Sequence, residues 1–375
     1  TMLFQLMQAV LFGSNYTFRS IHLSFLFNAL YLLFYTKNLV IFILTFLVTI
    51  VNYKCYNISK NKRQVMQMYI FIVNPHARSG LGHVVWDELE SILKNAKHTY
   101  KAYFTKYQKH ATEIARKATS DDAPSTLVVL GGDGTINEVV NGIQDYEKVI
   151  LGYIPIGSSN DFARSLNIPS SPKEALELIL AAHDTCSINY RTIADQDRLK
   201  HFAVSAGIGF DAAICHEAVI SKLKVALNKI HLGKLTYAGI SLHRLFLTTP
   251  QKMTVTLDHK EEFSFPSAYF AAIMNHKYEG GGVKFCPDAR PDDNLLDVIV
   301  VSDLSKLKIL TLLPTAFTGW HTHFKGVHTY QCRHVSIHAE RALPVHTDGE
   351  PVFLQKSISA SCDSKMLQVI VPQRR

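Results

Sequence analysis

From Met68 onward, short β-branched and aromatic runs alternate with stretches of helical periodicity, the pattern of an α/β layer built on parallel strands. Tyr69 to Val73 reads as the first strand. The chain then turns through Asn74-Pro75 and Ser79-Gly80-Leu81-Gly82, after which Val85, Leu89, Ile92 and Leu93 recur on one helix face. Tyr100 to Thr105, Thr126 to Leu130 and Val149 to Ile154 predict further strands, with a helical stretch around Ala111 to Ala118. Ser171-Pro172-Lys173-Glu174 opens another helix, ending near Ala182, because it offers a serine cap, a first-turn proline and a reciprocal glutamate. Beyond about residue 190 the texture changes. Met253 to Leu257, Phe263 to Ile273, Leu295 to Val301 and Val335 to His338 alternate as strands do, which predicts a second, β-rich domain.

The beginning of the chain is different. Ile21 to Tyr53 is nearly all apolar or aromatic, but its most hydrophobic part, Leu39 to Val51, is short against the roughly 20 residues a membrane-spanning helix needs. Two readings stay open. Residues 1–65 are a membrane anchor, with Lys54, Lys60, Lys62 and Arg63 placing the rest in the cytoplasm, or they are translated upstream sequence, with Met66 or Met68 beside the first strand. A cleaved signal peptide is disfavoured because no small-residue cleavage site follows a basic start.

Composition narrows the partners only slightly. The 375 residues carry a formal charge of +8 without an arginine-rich tail, so nucleic acid is not implied, and anionic lipid or a phosphate-bearing ligand suits the charge. Six dispersed cysteines with no Cys-x-x-Cys pair argue against a disulfide framework and for a reducing, cytosolic compartment.

The strongest chemical signal is Gly131-Gly132-Asp133-Gly134-Thr135, set between an apolar strand and a helix bearing Ile136, Val139, Val140 and Ile143 on one face. Glycines there let backbone amides approach a ligand, and the helix N-terminus adds partial positive charge, so the segment suits a phosphate chain. A tight turn without a ligand is the bland alternative. It is not a P-loop, since no Gly-Lys-Ser/Thr follows. In a parallel sheet, the Asn74 to Gly82 loop and Gly157-Ser158-Ser159-Asn160-Asp161 reach the same strand ends.

Asn74-Pro75 with Ser79-Gly80, Gly131 to Gly142, and Gly157-x-x-Asn160-Asp161-Phe162-Ala163-Arg164 together resemble the diacylglycerol kinase catalytic domain family, bacterial and sphingosine-kinase-like members included. The resemblance runs from about Met68 to the C-terminus. It implies a Rossmann-like α/β nucleotide-binding domain over 66–190, joined by the segment 350–375, a β-sandwich lipid domain over 191–349, and an active site in the cleft between them. On that pattern Asn74, Pro75, Ser79, Gly80, Gly131, Gly132, Gly134, Thr135, Gly157, Ser158 and Asn160 handle ATP and its magnesium, with Asp133 near the phosphates and metal. Thr347-Asp348-Gly349-Glu350 resembles the family's Asp-Gly-Glu segment, whose glutamate, here Glu350, is the general base for a lipid hydroxyl, with Asp348 beside it. Read without the family, Asp348-Gly349 is a hairpin turn.

The resemblance also implies a structural Mg2+ in the loop from Pro287 to Leu295, held by the Asp293 carboxylate and the carbonyls of Arg290 and Leu295. An acidic surface turn is the alternative. One departure concerns Asn189, which occupies a place where many relatives carry an aspartate, so an amide replaces a charge. The basic amphipathic stretch from His216 to Arg244 suits an anionic membrane surface or, equally, a solvated helix face. His334 and His338 alternate as on a strand, against a zinc site. The expected activity is ATP-dependent phosphorylation of a membrane lipid, diacylglycerol first, by an enzyme peripheral to the inner face of the membrane, with a homodimer as one assembly. An NAD kinase-like enzyme, though no Thr-Gly-Ser-Thr-Ala segment occurs, and a catalytically impaired nucleotide-binding regulator are the rivals.

Overall fold

Strands that are apolar on both faces must be covered on both faces, and three such strands start the fold. β1 (Tyr69–Val73), β3 (Ser125–Gly131) and β4 (Val149–Pro155) are almost wholly buried, whereas β2 (Tyr100–Phe104), with Lys101, Tyr103 and Phe104 exposed, lies at the edge. They pair in parallel in the order β2-β1-β3-β4. Helices α1 (Ala77–Asn95), α2 (His110–Ala118), α3 (Asp133–Val140), α4 (Asp161–Ser165) and α5 (Pro172–Ala181) accompany them. Phe71, Leu89, Leu127, Leu130, Ile136 and Leu151 fill the core between sheet and helices. The cap expected at Ser171 is present as a long contact, its hydroxyl accepting the Glu174 amide at 3.5 Å.

The computed structural model describes residues 68–121, 125–181, 184–195, 198–220 and 242–373. The apolar stretch 21–53 lies outside them, as does most of the basic stretch 216–244. Among the described residues no helix is long and apolar enough to cross a membrane.

The remaining elements are mostly antiparallel strands. These are β5 (Thr185–Asp195), β6 (Arg198–Phe202), β7 (Ser205–Gly209), β8 (Gln251–Leu257), β9 (Glu261–Met274), β10 (Leu296–Ser302), β11 (Val327–Cys332), β12 (His334–Thr347) and β13 (Glu350–Ile370), with helices α6 (Phe210–Ile220) and α7 (Lys306–Ala316). Period-2 alternation sorts their side chains into two cores. Ala271, Ile273, Val298 and Val300 face one, with Met253, Val255 and Ile337, while Phe270, Met274, Ile299 and Val301 face the other, with Leu245. The fold is therefore an α/β domain with a parallel sheet followed by a β-rich domain.

The long strand β13 belongs to both. It begins antiparallel to β12, with Thr347 opposite Glu350 and Ile337 opposite Ile358, and continues antiparallel to β5. It ends parallel to β4, with Gln368 opposite Ile150 and Val369 opposite Leu151. One continuous path of paired strands thus runs from β11 to β2. Val335 to His338 is only the first part of β12, whose register slips between His338 and Val345 before it reaches Thr347.

Candidate active site

Three loops meet at the carboxyl ends of β1, β3 and β4, and side-chain bonds tie each to the next. After β1, the Asn74 side-chain amide donates to the Thr135 hydroxyl at 3.0 Å, while its oxygen accepts the His76 amide. Pro75 continues this loop, and Gly80, with φ +98°, borders open space in the first turns of α1. The Ser79 backbone lies in the same turns. After β3, each glycine answers a different neighbour. A Cβ on Gly131 would stand 2.6 Å from the Thr135 hydroxyl, and one on Gly132 would stand 3.1 Å from the Gly157 Cα. After β4, Asn160, at φ +53°, folds its side chain back on its own loop, accepting the Gly157 amide at 2.8 Å and donating to the Gly157 carbonyl at 3.1 Å. Ser158 is exposed at its tip.

Asp133 joins the second loop to the third. Its two carboxylate oxygens accept the amides of Asp161 and Phe162 at 3.1 and 3.2 Å, so it caps α4. Burial, and then the Asp161 charge nearby, raise its carboxyl to about 6 against the pull of those two amides. Asp161 in turn accepts the Gly281 amide at 2.8 Å from the β-rich domain and pairs with Arg164 at 2.7 Å. Gly282, at φ +110°, leaves room for that guanidinium, since a Cβ there would stand 2.6 Å from it.

The Asp348-Gly349 pair is the two-residue turn between β12 and β13, with φ of +50° and +76°, as a type I′ hairpin requires. It is more than a turn. The Asp348 carboxylate accepts the amides of Ala203, Val204 and Ser205 at 2.8, 2.7 and 2.9 Å, and the Asn137 side chain on α3 at 2.5 Å. A carboxylate held by that many donors is a fixed point of the fold. Glu350 follows immediately, and its Oε1 lies 3.2 Å from the position of a Cβ on Gly134. The glycine turn and the acidic turn therefore face each other directly. Lys200, from β6, donates to the Thr347 hydroxyl and lies near both carboxylates; burial lowers its ammonium, and Asp348 and Glu350 oppose that.

The comparisons with known proteins follow the same span. Residues 68–189 match the diacylglycerol kinase catalytic domain, and residues 204–371 match the YegS C-terminal NAD kinase beta sandwich-like domain. YtlR of Bacillus subtilis (strain 168), a protein named as a lipid kinase, is 30% identical over 292 residues, which cover 76% of this chain and 94% of the relative. The chain belongs to the diacylglycerol kinase catalytic domain family. A diacylglycerol kinase of Mycobacterium tuberculosis (strain ATCC 25618 / H37Rv) is 29% identical over 228 residues, covering 60% of this chain and 70% of its own. A Bacillus anthracis str. Sterne crystal structure named for diacylglycerol kinase superposes with a TM-score of 0.65 at 22% identity, covering 82% of this chain and 95% of that one, a likeness of fold. The chain is thus a kinase of a lipid-kinase family.

In this kinase the Pro287 to Leu295 loop lies one step behind the acidic turn. The Asn189 side chain pairs with that of Asn294 and accepts its amide at 3.0 Å, and the Asn189 amide donates to the Pro291 carbonyl at 2.7 Å. Asn275 bridges onward, donating to the carbonyls of Asn189 and Ala203. An amide at 189 fits because its partner is another amide, which a carboxylate could match only as an acceptor. Asp293 accepts the Leu295 amide at 2.9 Å, and Arg290 pairs with Asp292 through its side chain.

The sequence reading missed a buried cluster behind the same turn. His346 Nε2 lies 2.6 Å from Asp211 Oδ2 and 3.2 Å from Glu279 Oε1, and all three residues are buried. Gly207 makes space for it, since a Cβ there would be 2.5 Å from the imidazole. These are metal-ligating residue types, and one ligand atom from each lies within 4.8 Å of the others. The Gly349 amide donates to His346 Nδ1 at 3.2 Å, and Nε2 faces the Asp211 carboxylate. Burial, and then the Asp211 charge, raise the Glu279 carboxyl to about 8. Burial lowers the His346 imidazole, but Glu279 and Asp211 outweigh that and raise it. The available signal was Glu279 itself, a carboxylate preceding three glycines, at positions far in sequence from His346.

Proposed function

We propose that the protein transfers the γ-phosphate of ATP to the free hydroxyl of diacylglycerol, with Glu350 as the general base. The observation that carries this reading is the approach of Glu350 to Gly134, which sets a proton acceptor against the phosphate cradle. The loops around Asn74, Gly132 and Gly157 would hold the triphosphate by backbone amides and the α3 N-terminus. The lipid hydroxyl would lose its proton to Glu350 as its oxygen bonds the γ-phosphorus and the bond to the β-phosphate oxygen breaks, releasing ADP. Lys200 would offset charge beside the base. Asp133, with both oxygens on the third loop, would position the cradle and keep spare lone pairs for a cation on the phosphates.

Diacylglycerol is favoured as the acceptor by relatives that bear that name over most of their length. A structural magnesium would find only oxygen donors at Asp293 and the carbonyls of Arg290 and Leu295, which is the donor set that ion prefers. It would stiffen the loop that Asn189 and Asn275 link to Ala203.

The test is phosphorylation of a panel of purified lipids with radiolabelled ATP. Diacylglycerol should be labelled, and Glu350→Gln should lower kcat by about 10²- to 10⁴-fold while ATP still binds. Undiminished turnover in the variant would remove the base. Labelling of a sphingoid base or polyprenol alone would move the acceptor. ATP binding with no lipid labelled would favour the regulator.

A further inference from the structure

Large apolar side chains are unusually exposed at one place on the β-rich domain. Leu307 and Trp320 are 72% and 69% exposed, Leu247 and Phe246 60% and 58%. Phe317 and Leu313 are exposed on the same helical segment as Leu307. The helical turn 242–247 and α7 form one surface, because Leu245 is buried in the core against which Ile309 and Leu310 pack, and Lys306 donates to the Phe246 carbonyl. Trp320 follows through Gly319, whose φ of +89° and contact with Pro287 leave no room for a side chain.

Charge separates the candidate occupants. From Leu304 to Gly326 the chain contains no aspartate or glutamate, yet it carries Lys306, Lys308 and Lys325. Protein interfaces are depleted in lysine around their apolar centre, whereas surfaces that enter anionic bilayers combine lysine with tryptophan, phenylalanine and leucine. The surface also connects to the cleft. Lys284 donates its amide to the Ala316 carbonyl at the end of α7. Tyr278, six residues earlier in the same loop, has the Arg164 and Lys284 cations 5.7 and 5.8 Å from its ring centre. Between those two positions, Gly281 bonds Asp161 of the nucleotide-side loop.

We infer that the face formed by Phe246, Leu247, Leu307, Phe317 and Trp320 docks into an anionic lipid bilayer, with Lys306 and Lys308 at the headgroups. The inference rests on the lipid-acceptor reading for its purpose, and its test is independent of turnover. The chain has two tryptophans, and Trp86 is 3% exposed in the core beside Phe71, so Trp320 reports on the surface alone.

The full chain is mixed with vesicles of phosphatidylglycerol and phosphatidylcholine whose acyl chains carry bromine. Trp320 emission should shift to the blue and be quenched, and a Trp320→Phe variant should lose the quenchable component. The paired substitutions Lys306→Glu and Lys308→Glu should raise the lipid concentration for half-quenching by about tenfold or more. If the chain floats with the vesicles while Trp320 stays unquenched, another segment anchors it and the inference fails. It fails equally if purely zwitterionic vesicles quench as well as anionic ones. A water-soluble short-chain diacylglycerol separates the two readings, since the lysine variant should phosphorylate it at the unaltered rate. Quenched Trp320 without any diacylglycerol turnover would fault the acceptor and leave the docking face standing.

Discussion

The Gly131–Thr135 turn and the Asp348–Glu350 turn meet through Gly134 and Glu350, yet they are held in place by opposite means. The first is shaped by what is missing. Each absent Cβ admits a neighbour, Thr135 at Gly131, Gly157 at Gly132 and Glu350 at Gly134. The second is shaped by what is added, since four donors converge on Asp348 and a buried imidazole receives the Gly349 amide. A cradle for a ligand that comes and goes needs open amides. A turn that must aim one carboxylate needs its own amides and oxygens fully engaged.

Breaking the second turn should have the largest effect. Asp348→Ala leaves three backbone amides and the Asn137 side chain without their acceptor, and is expected to cost about 2–3 kcal/mol of stability together with most of the activity. Urea denaturation and kcat measure both. An Asp348→Ala chain as stable as the parent would mean that the amides of Ala203, Val204 and Ser205 do not depend on this carboxylate.

Gly134→Ala should separate stability from catalysis. The residue lies in the first turn of α3 without a positive φ, where alanine stabilises a helix by about 0.5–1 kcal/mol over glycine. The added methyl group nevertheless stands 3.2 Å from the Glu350 oxygen. The expected result is an undiminished Tm with kcat reduced about tenfold, because the Glu350 carboxylate must shift by some tenths of an ångström to admit the methyl group in a positioned site. Equal losses in Tm and kcat would point to ordinary misfolding.

The smallest effect concerns the proton held behind the turn. Glu279 titrates near 8 in the folded chain against 4.5 for a free side chain, facing Asp211, His346, Ser205 and Asp161. The native state therefore binds this proton more tightly than the unfolded one, and its contribution is full below about pH 4.5 and lost as pH rises through about 8. Glu279→Gln keeps the neutral shape at all pH values. Its Tm should fall less steeply than that of the parent across this window, and parallel curves would show that Glu279 is not protonated in the folded state.

The two turns also differ in how far the sequence disclosed them. Gly131 to Thr135 could be read because a parallel strand, a glycine run and a helical face are consecutive, and the loops after β1 and β4 are obliged by topology to share its edge. Asp348-Gly349 was readable as a hairpin and, by resemblance, as the neighbour of a base. Its supports were not. Ala203, Val204 and Ser205 contribute backbone amides, which carry no side-chain signature, and Asp211, Glu279 and His346 lie on separate elements that only the antiparallel sheet brings together. Asn189 stood out as a lost charge, but its meaning depended on Asn294, 105 residues away.

The placement of β13 has a consequence for synthesis. The strand that covers the edge of β4 is the last element described, so a chain leaving the ribosome presents β1 to β4 with that edge unpaired until residues 368 and 369 emerge. The same strand carries Glu350 at its first residue, and the candidate base and the closing edge of the parallel sheet arrive together.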